Sequence, residues 1–199
     1  FPNAEQACTP EGYLHVWPQI FDREGFFVAR LRKHHSVPNT MFQPGKLGKF
    51  PFSPLLAKEA EPMLREIEAN FGVVPQGQLF GRNDEIWLFP HLFGQVLGKL
   101  RFDRIGIKLA ETFKKGYRLT HEWALAYGDK ATQGVVKLDS ANAREFMMGR
   151  DVWPEQEAGT GEVIVRYQGH TLGMGKWVGS RVKNALPREL VRDNNLFDA

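Results

Sequence analysis

Between Gly161 and Val178 the chain reads GEVIVRYQGHTLGMGKWV, and this stretch leaves the fewest alternatives. Val163, Val165 and Tyr167 alternate onto one side, Gly169 supplies a turn, and a return strand runs from Thr171 to Val178. A two-residue hairpin connection built on glycine is the expected geometry. A strand pair of this length buries only one face against itself, so it needs other elements to pack on. Those elements are short. GYRLTHEWALAYG reads as a strand passing through a Thr120 cap into a helix that stops at Gly128. LDSANAREFMMG reads as a helix capped by Asp139 or Ser140, burying Phe146 and Met147 and ending at Gly149. Short strands and short helices in irregular order predict an α+β chain of small mixed domains, the last a pseudo-barrel, rather than a doubly wound sheet.

The same reading extends toward the N-terminus. GYLHVWPQIF, DREG and FFVARLRK form strand, turn and strand, with Phe27, Ala29 and Leu31 alternating against Val28, Arg30 and Arg32. Phe21, Phe26 and Phe27 exceed what two strands can bury and point to a partner sheet. The segment from His34 to Pro54, broken by proline and glycine, reads as a linker. Met63, Leu64, Ile67 and Phe71 sit at helical spacing, with Pro62 suited to a first turn and Gly72 to a stop, so a helix is expected over 61–71. GQLFGRNDEIWLFP is a second hairpin, turning at Asn83 and Asp84 and ended by Pro90.

With 199 residues, 42% of them hydrophobic, the chain can bury a core as one large domain or two small ones. Cys8 is the single cysteine, which excludes a disulfide within the chain, and no Cys/His spacing makes a metal site. These features, with no apolar run of membrane-spanning length, fit a reducing cytoplasm. The start lacks the charged and apolar regions of a signal peptide and an initiator Met, so the chain reads as a piece of something longer.

Several chemistries fail on spacing. Gly173, Gly175 and Gly179 approach a dinucleotide fingerprint, but Val178 stands where a glycine is required. No Gly-Lys-Ser/Thr triplet completes a phosphate loop. His121 and Glu122 open a zinc-protease pattern that Leu125 breaks. Cys8 has no basic neighbour to activate it, and His34 with His35 reads as polar loop. No acid, base and nucleophile assemble, so no catalytic, cofactor or metal residue is assigned.

Charge distribution carries more. Twenty-six Lys plus Arg against 23 Asp plus Glu is nearly balanced overall, yet the cations collect in two strips. The first, from Gln95 to Thr120, contains Lys99, Arg101, Arg104, Lys108, Lys114, Lys115 and Arg118 against only Asp103 and Glu111; the second, from Gly173 to Arg188, contains Lys176, Arg181, Lys183 and Arg188 with no acid among them. Trp177 and Asn184 interleave the second strip and offer stacking and base hydrogen bonding, while its glycines admit close backbone approach. Each cation has a salt bridge as its competing role, and Trp177 has core packing as its own. Sheet-rich surroundings and the lack of a recognition helix favour RNA over DNA.

RIGIKLAE, YRLTHEWALAY, NAREFMMGRDV and LGMGKWVGSRVKNALPREL resemble the C-terminal region of bacterial Sun/Fmu-type RNA cytosine-5 methyltransferases. There the final block closes a PUA-like RNA-binding domain. EGYLHVWPQIFDREGFFVARLRK resembles the last two strands of that family's methyltransferase sheet. The resemblance is strongest over 11–33 and 101–192 and points to the branch acting on small-subunit (16S) ribosomal RNA. It implies three parts: terminal methyltransferase strands over 1–35, a linker and intermediate α+β domain over 36–100, and a PUA-like domain over 101–199. The family's S-adenosylmethionine loop and its two catalytic cysteines, in PCSG-like and TCT-like motifs, lie upstream of such a hairpin and are absent from this sequence. The implied role is targeting: the parent enzyme would use S-adenosylmethionine, with ribosomal RNA or the small subunit, and its own methyltransferase domain, as partners. The alternative is a scaffold that packs on the catalytic domain or a protein partner without touching RNA.

Overall fold

The computed structural model describes residues 4–22, 24–36, 50–97, 99, 102 and 105–192. The chain divides into two compact units, residues 1–45 and 46–199. In the first, β1 (Leu14–Val16) pairs antiparallel with β2 (Phe26–Val28), Leu14 opposite Val28. The expected hairpin is present, but its connection holds a four-residue helix, α1 (Pro18–Phe21), which Pro18 starts and a left-handed Asp22 ends. The return strand stops at Val28 and 29–36 continue without regular structure, shorter than the alternation suggested. Val16 is buried, whereas Phe27 is 57% exposed beside Phe26 and Val28.

The second unit begins with β3 (Ser53–Pro54), α2 (Ala57–Phe71), β4 (Gln78–Arg82), β5 (Glu85–Phe89), the one-turn α3 (Phe93–Val96), β6 (Ile107–Phe113) and β7 (Gly116–Leu119). The five strands form one antiparallel sheet in chain order. Period-two alternation divides its side chains. Leu79, Ile86 and Leu88 face α2, through Met63, Ile67 and Phe71. Phe80 and Phe89 face the other way, onto Phe93, Phe50, Phe52 and Trp87. Helix α2 starts a turn earlier than expected. The Glu59 carboxylate accepts from the Leu56 N–H at 3.2 Å, so Pro62 lies within the helix on an exposed face rather than in its first turn.

The strand pairing also relocates a boundary. Position 101 was expected to open the C-terminal domain, but β6 and β7 pair with β5 and complete the first sheet. The reason is tertiary: a free edge at β5 is covered by the next available strand.

After β7, Thr120 caps α4 (His121–Tyr127); its Oγ1 accepts from the Trp123 N–H at 3.3 Å and donates to the Lys108 carbonyl. A 3-10 turn follows over Gly128–Lys130. Then come β8 (Val135–Leu138), α5 (Ser140–Met147), β9 (Gly161–Tyr167), β10 (His170–Val178) and β11 (Arg181–Asn184), in a sheet ordered β11-β10-β9-β8. Asp139 caps α5 by accepting from the Asn142 N–H at 2.8 Å. Gln168 and Gly169, both at positive φ, make the tight turn between β9 and β10. β8 lies parallel to β9 because α5 and the following loop carry the chain over one face. On that face Phe146 and Ala143 pack on Val163, Val165, Trp177 and Val182. Ile164 and Met174, on the opposite face, join the core that Leu109 and Trp123 share with the first sheet.

Candidate nucleic-acid interface

Two directly opposed residues in an antiparallel pair project from the same face of a sheet. Lys176 on β10 stands opposite Lys183 on β11 and, across its other edge, opposite Glu162 on β9. Their neighbours Trp177 and Val182 turn into the core. A row Lys183, Lys176, Glu162 therefore crosses three strands, about 10 Å at ordinary strand spacing. Both lysines are exposed.

The row ends against the edge of the first sheet. The Glu162 carboxylate accepts from the backbone N–H of Leu119 on β7. Burial raises its pKa above the ordinary carboxylate value, while that hydrogen bond and the charges of Arg118 and Lys176 pull the other way. Arg118 belongs to the first basic strip and Lys176 to the second, so one carboxylate senses both. Lys114 and Lys115 stand exposed at the tip of the β6–β7 hairpin, four and three residues before Arg118.

Not every expected contact stands free. Lys108 is half-buried, 2.9 Å from Glu111 and 3.7 Å from Glu85. Its hydrogen bond to Glu111 holds the ammonium pKa above the usual value and the Glu111 carboxyl below it. Arg118 pairs with Glu111 at 3.0 Å and lies over the Phe113 ring. Arg181 pairs with Asp151 at 3.4 Å. Among the described residues Lys114, Lys115, Lys176, Lys183 and Arg188 stand in no ion pair; Arg101 and Arg104 lie outside the described residues.

Three readings of the second strip change. Trp177 is 6% exposed in the core of its sheet and offers no open face for stacking. Asn184 is spent internally: its Nδ2 donates to the carbonyls of Phe146 (2.7 Å) and Arg150 (3.1 Å), and its Oδ1 accepts from the Leu186 N–H (2.8 Å). Gly173 and Gly175 serve packing rather than ligand approach. A Cβ on Gly175 would meet Val182 Cγ1 at 2.5 Å, and one on Gly173 would meet His121 Nδ1 at 2.9 Å. Glu111, already inside the first strip in sequence, is joined in space by Glu85, Asp151 and Glu162. Glu162 was half legible: alternation along GEVIVRY sets it opposite in facing to Val163, but the Gly169 turn alone would place Gly175 across from it, and the bulge between Thr171 and Gly173 slips the register so that Lys176 stands there instead.

Among the described residues no helix is long and apolar enough to cross a membrane, and no three metal-ligating side chains gather.

A small antiparallel sheet thus shares its core with a second, mixed sheet. Residues 52–127 match the family model for the pre-PUA domain of ribosomal RNA small subunit methyltransferase F, and residues 133–192 match the model for the methyltransferase RsmF PUA domain. Proteins carrying the name ribosomal RNA small subunit methyltransferase F are 96% identical in Aeromonas salmonicida (strain A449), over all 199 residues, and 87% identical in Aeromonas hydrophila, over 99% of the chain. One from Vibrio cholerae serotype O1 (strain M66-2) is 48% identical over 99% of the chain. The chain belongs to this methyltransferase F family and carries its pre-PUA and PUA domains. It spans 42% of the length of each of these relatives.

Proposed function

We propose that this chain is the RNA-docking portion of an S-adenosylmethionine-dependent cytosine-5 methyltransferase acting on 16S ribosomal RNA in the cytoplasm. The observation that carries the reading is the opposed, exposed Lys176–Lys183 pair. Like charges directly across a strand pair disfavour the sheet, and Glu162 flanks Lys176 alone, which leaves Lys183 to an anion from outside the chain. Lys114, Lys115, Arg118 and Arg188 add phosphate contacts, and Arg101 and Arg104 belong to the same proposal. Phosphate contacts fix position without reading sequence, which suits a module whose task is to hold a large RNA near a separate active site. The catalytic cysteines and the S-adenosylmethionine loop belong, in this reading, to the rest of the enzyme, and residues 1–35 to the end of its methyltransferase sheet.

The scaffold reading has its own support in the paired state of Lys108, Arg118 and Arg181 and in the internal use of Trp177 and Asn184. Incubating the chain with labelled S-adenosylmethionine and ribosomal RNA, beside a binding assay at low salt, separates the two. RNA capture without methyl transfer is the expected result, and no binding at low salt would establish the scaffold.

A further inference from the structure

Beside the lysine row lies a cleft of about 550 Å³, within the size range of small-ligand sites. Helix α2 supplies Glu66 and Asn70 to its wall, β7 supplies Tyr117, and β9 and β10 supply Glu162 and Lys176. The Tyr117 hydroxyl donates to Glu66 at 2.9 Å, fixing the half-buried ring in the wall. Glu162 is anchored through the Leu119 N–H.

The lining selects its occupant by charge. Glu66, Glu157 and Glu162 repel a phosphate from the interior. A metal ion is equally ill served, because the Lys176 ammonium shares the wall. A neutral, planar group rich in N–H donors fits, provided its attached anions stay outside, on Lys176 and Lys183. An unstacked nucleobase in single-stranded RNA meets that description, since such bases are read by stacking on aromatic rings and by hydrogen bonds along their edges.

We infer that the cleft receives an unpaired guanine, its edge toward Glu162, its face against Tyr117 and its phosphates on Lys176 and Lys183. A carboxylate accepts two parallel hydrogen bonds from the N1–H and N2–H of guanine. Adenine and cytosine present one amine beside a ring-nitrogen acceptor, and uracil presents one N–H between two carbonyls, so each meets the carboxylate with at least one repelling lone pair. The inference rests on the RNA-docking reading and adds a base-specific contact to it.

The test measures dissociation constants of the 199-residue chain for uridine nonamers carrying a central guanosine, inosine, cytidine, adenosine or uridine. A bidentate base contact predicts that the guanosine nonamer binds about tenfold more tightly than all-uridine. Inosine, lacking the N2 amine, should lose most of that gain. Glu162→Gln should make the guanosine and uridine nonamers bind alike; should that variant fail to fold, the guanosine–inosine comparison in the unaltered chain decides alone. Binding of all five nonamers with equal affinity, or preference for adenosine or cytidine, overturns the cleft and leaves RNA docking intact. Absence of binding to any nonamer overturns both.

Discussion

Replacing Lys183 by alanine separates an RNA contact from a structural one. Lys183 is exposed on the last strand of its sheet, in no ion pair among the described residues, and its nearest cross-strand neighbour is another cation, Lys176. Truncation therefore removes a repulsion and no partner, so stability should stay within about 0.5 kcal/mol of the starting value. Binding behaves differently. For single-stranded RNA each neutralised phosphate contributes about 0.7 to the slope of log K against log salt. Four or five contacts from Lys114, Lys115, Lys176, Lys183 and Arg188 give a slope of roughly −3 to −3.5, and Lys183→Ala should make it shallower by about 0.7. At 0.1 M salt that corresponds to about a fivefold weaker complex. Fluorescence anisotropy with a labelled 16S-derived RNA at several salt concentrations, with thermal denaturation of both proteins, measures both quantities. An unchanged slope at unchanged stability would remove Lys183 from the interface; a large loss of stability would refute the reasoning about its surroundings.

Other substitutions test the structural assignments. Trp177→Ala should destabilise the chain by about 3–5 kcal/mol in urea denaturation, because it empties a packed core position; weakened RNA binding at full stability would instead restore a stacking role. Asn184→Ala leaves the Phe146 and Arg150 carbonyls and the Leu186 N–H without their partner and should cost about 1–3 kcal/mol, read from the same denaturation curves. His121 has a buried Nδ1 with no hydrogen-bond partner, and burial holds its pKa below the ordinary value against the opposing charges of Glu122 and Glu189. Below about pH 6.5 the unfolded chain then binds more protons than the folded one, and stability falls as pH drops toward the folded-state value. The stability difference between the wild-type chain and His121→Gln should shift in the variant's favour across that window; a pH-independent difference would contradict the burial argument.

Local chemistry was the readable part of this sequence. The Gly169 turn, the Thr120 and Asp139 caps, the Asn83–Asp84 hairpin and the Phe146 anchor each depend on a few adjacent residues, and the structure has them all. What escaped depends on partners distant in sequence. Strands β6, β8 and β11 are recognised by the edges they cover, and the true extent of the first sheet follows from β5 lacking a neighbour until β6 arrives. A bulge explains the hidden Lys108 pair. Between Ile86 and Trp87 the register slips, so Leu109 has no opposite number and the alternation along β6 changes phase. Lys108 and Glu111, three residues apart, then meet at 2.9 Å although strict alternation would set them on opposite faces. The interface was half legible for the same reason: which cations are free depends on where the acids return.

Amide chemical-shift mapping of the chain titrated with single-stranded 16S-derived RNA tests the central claim most directly, since it locates contact on both sheets at once. The account predicts that resonances of residues 114–118 and of 174–184 shift together along one binding isotherm. Shifts confined to one of these segments, or to neither, would contradict a single docking face assembled from both domains.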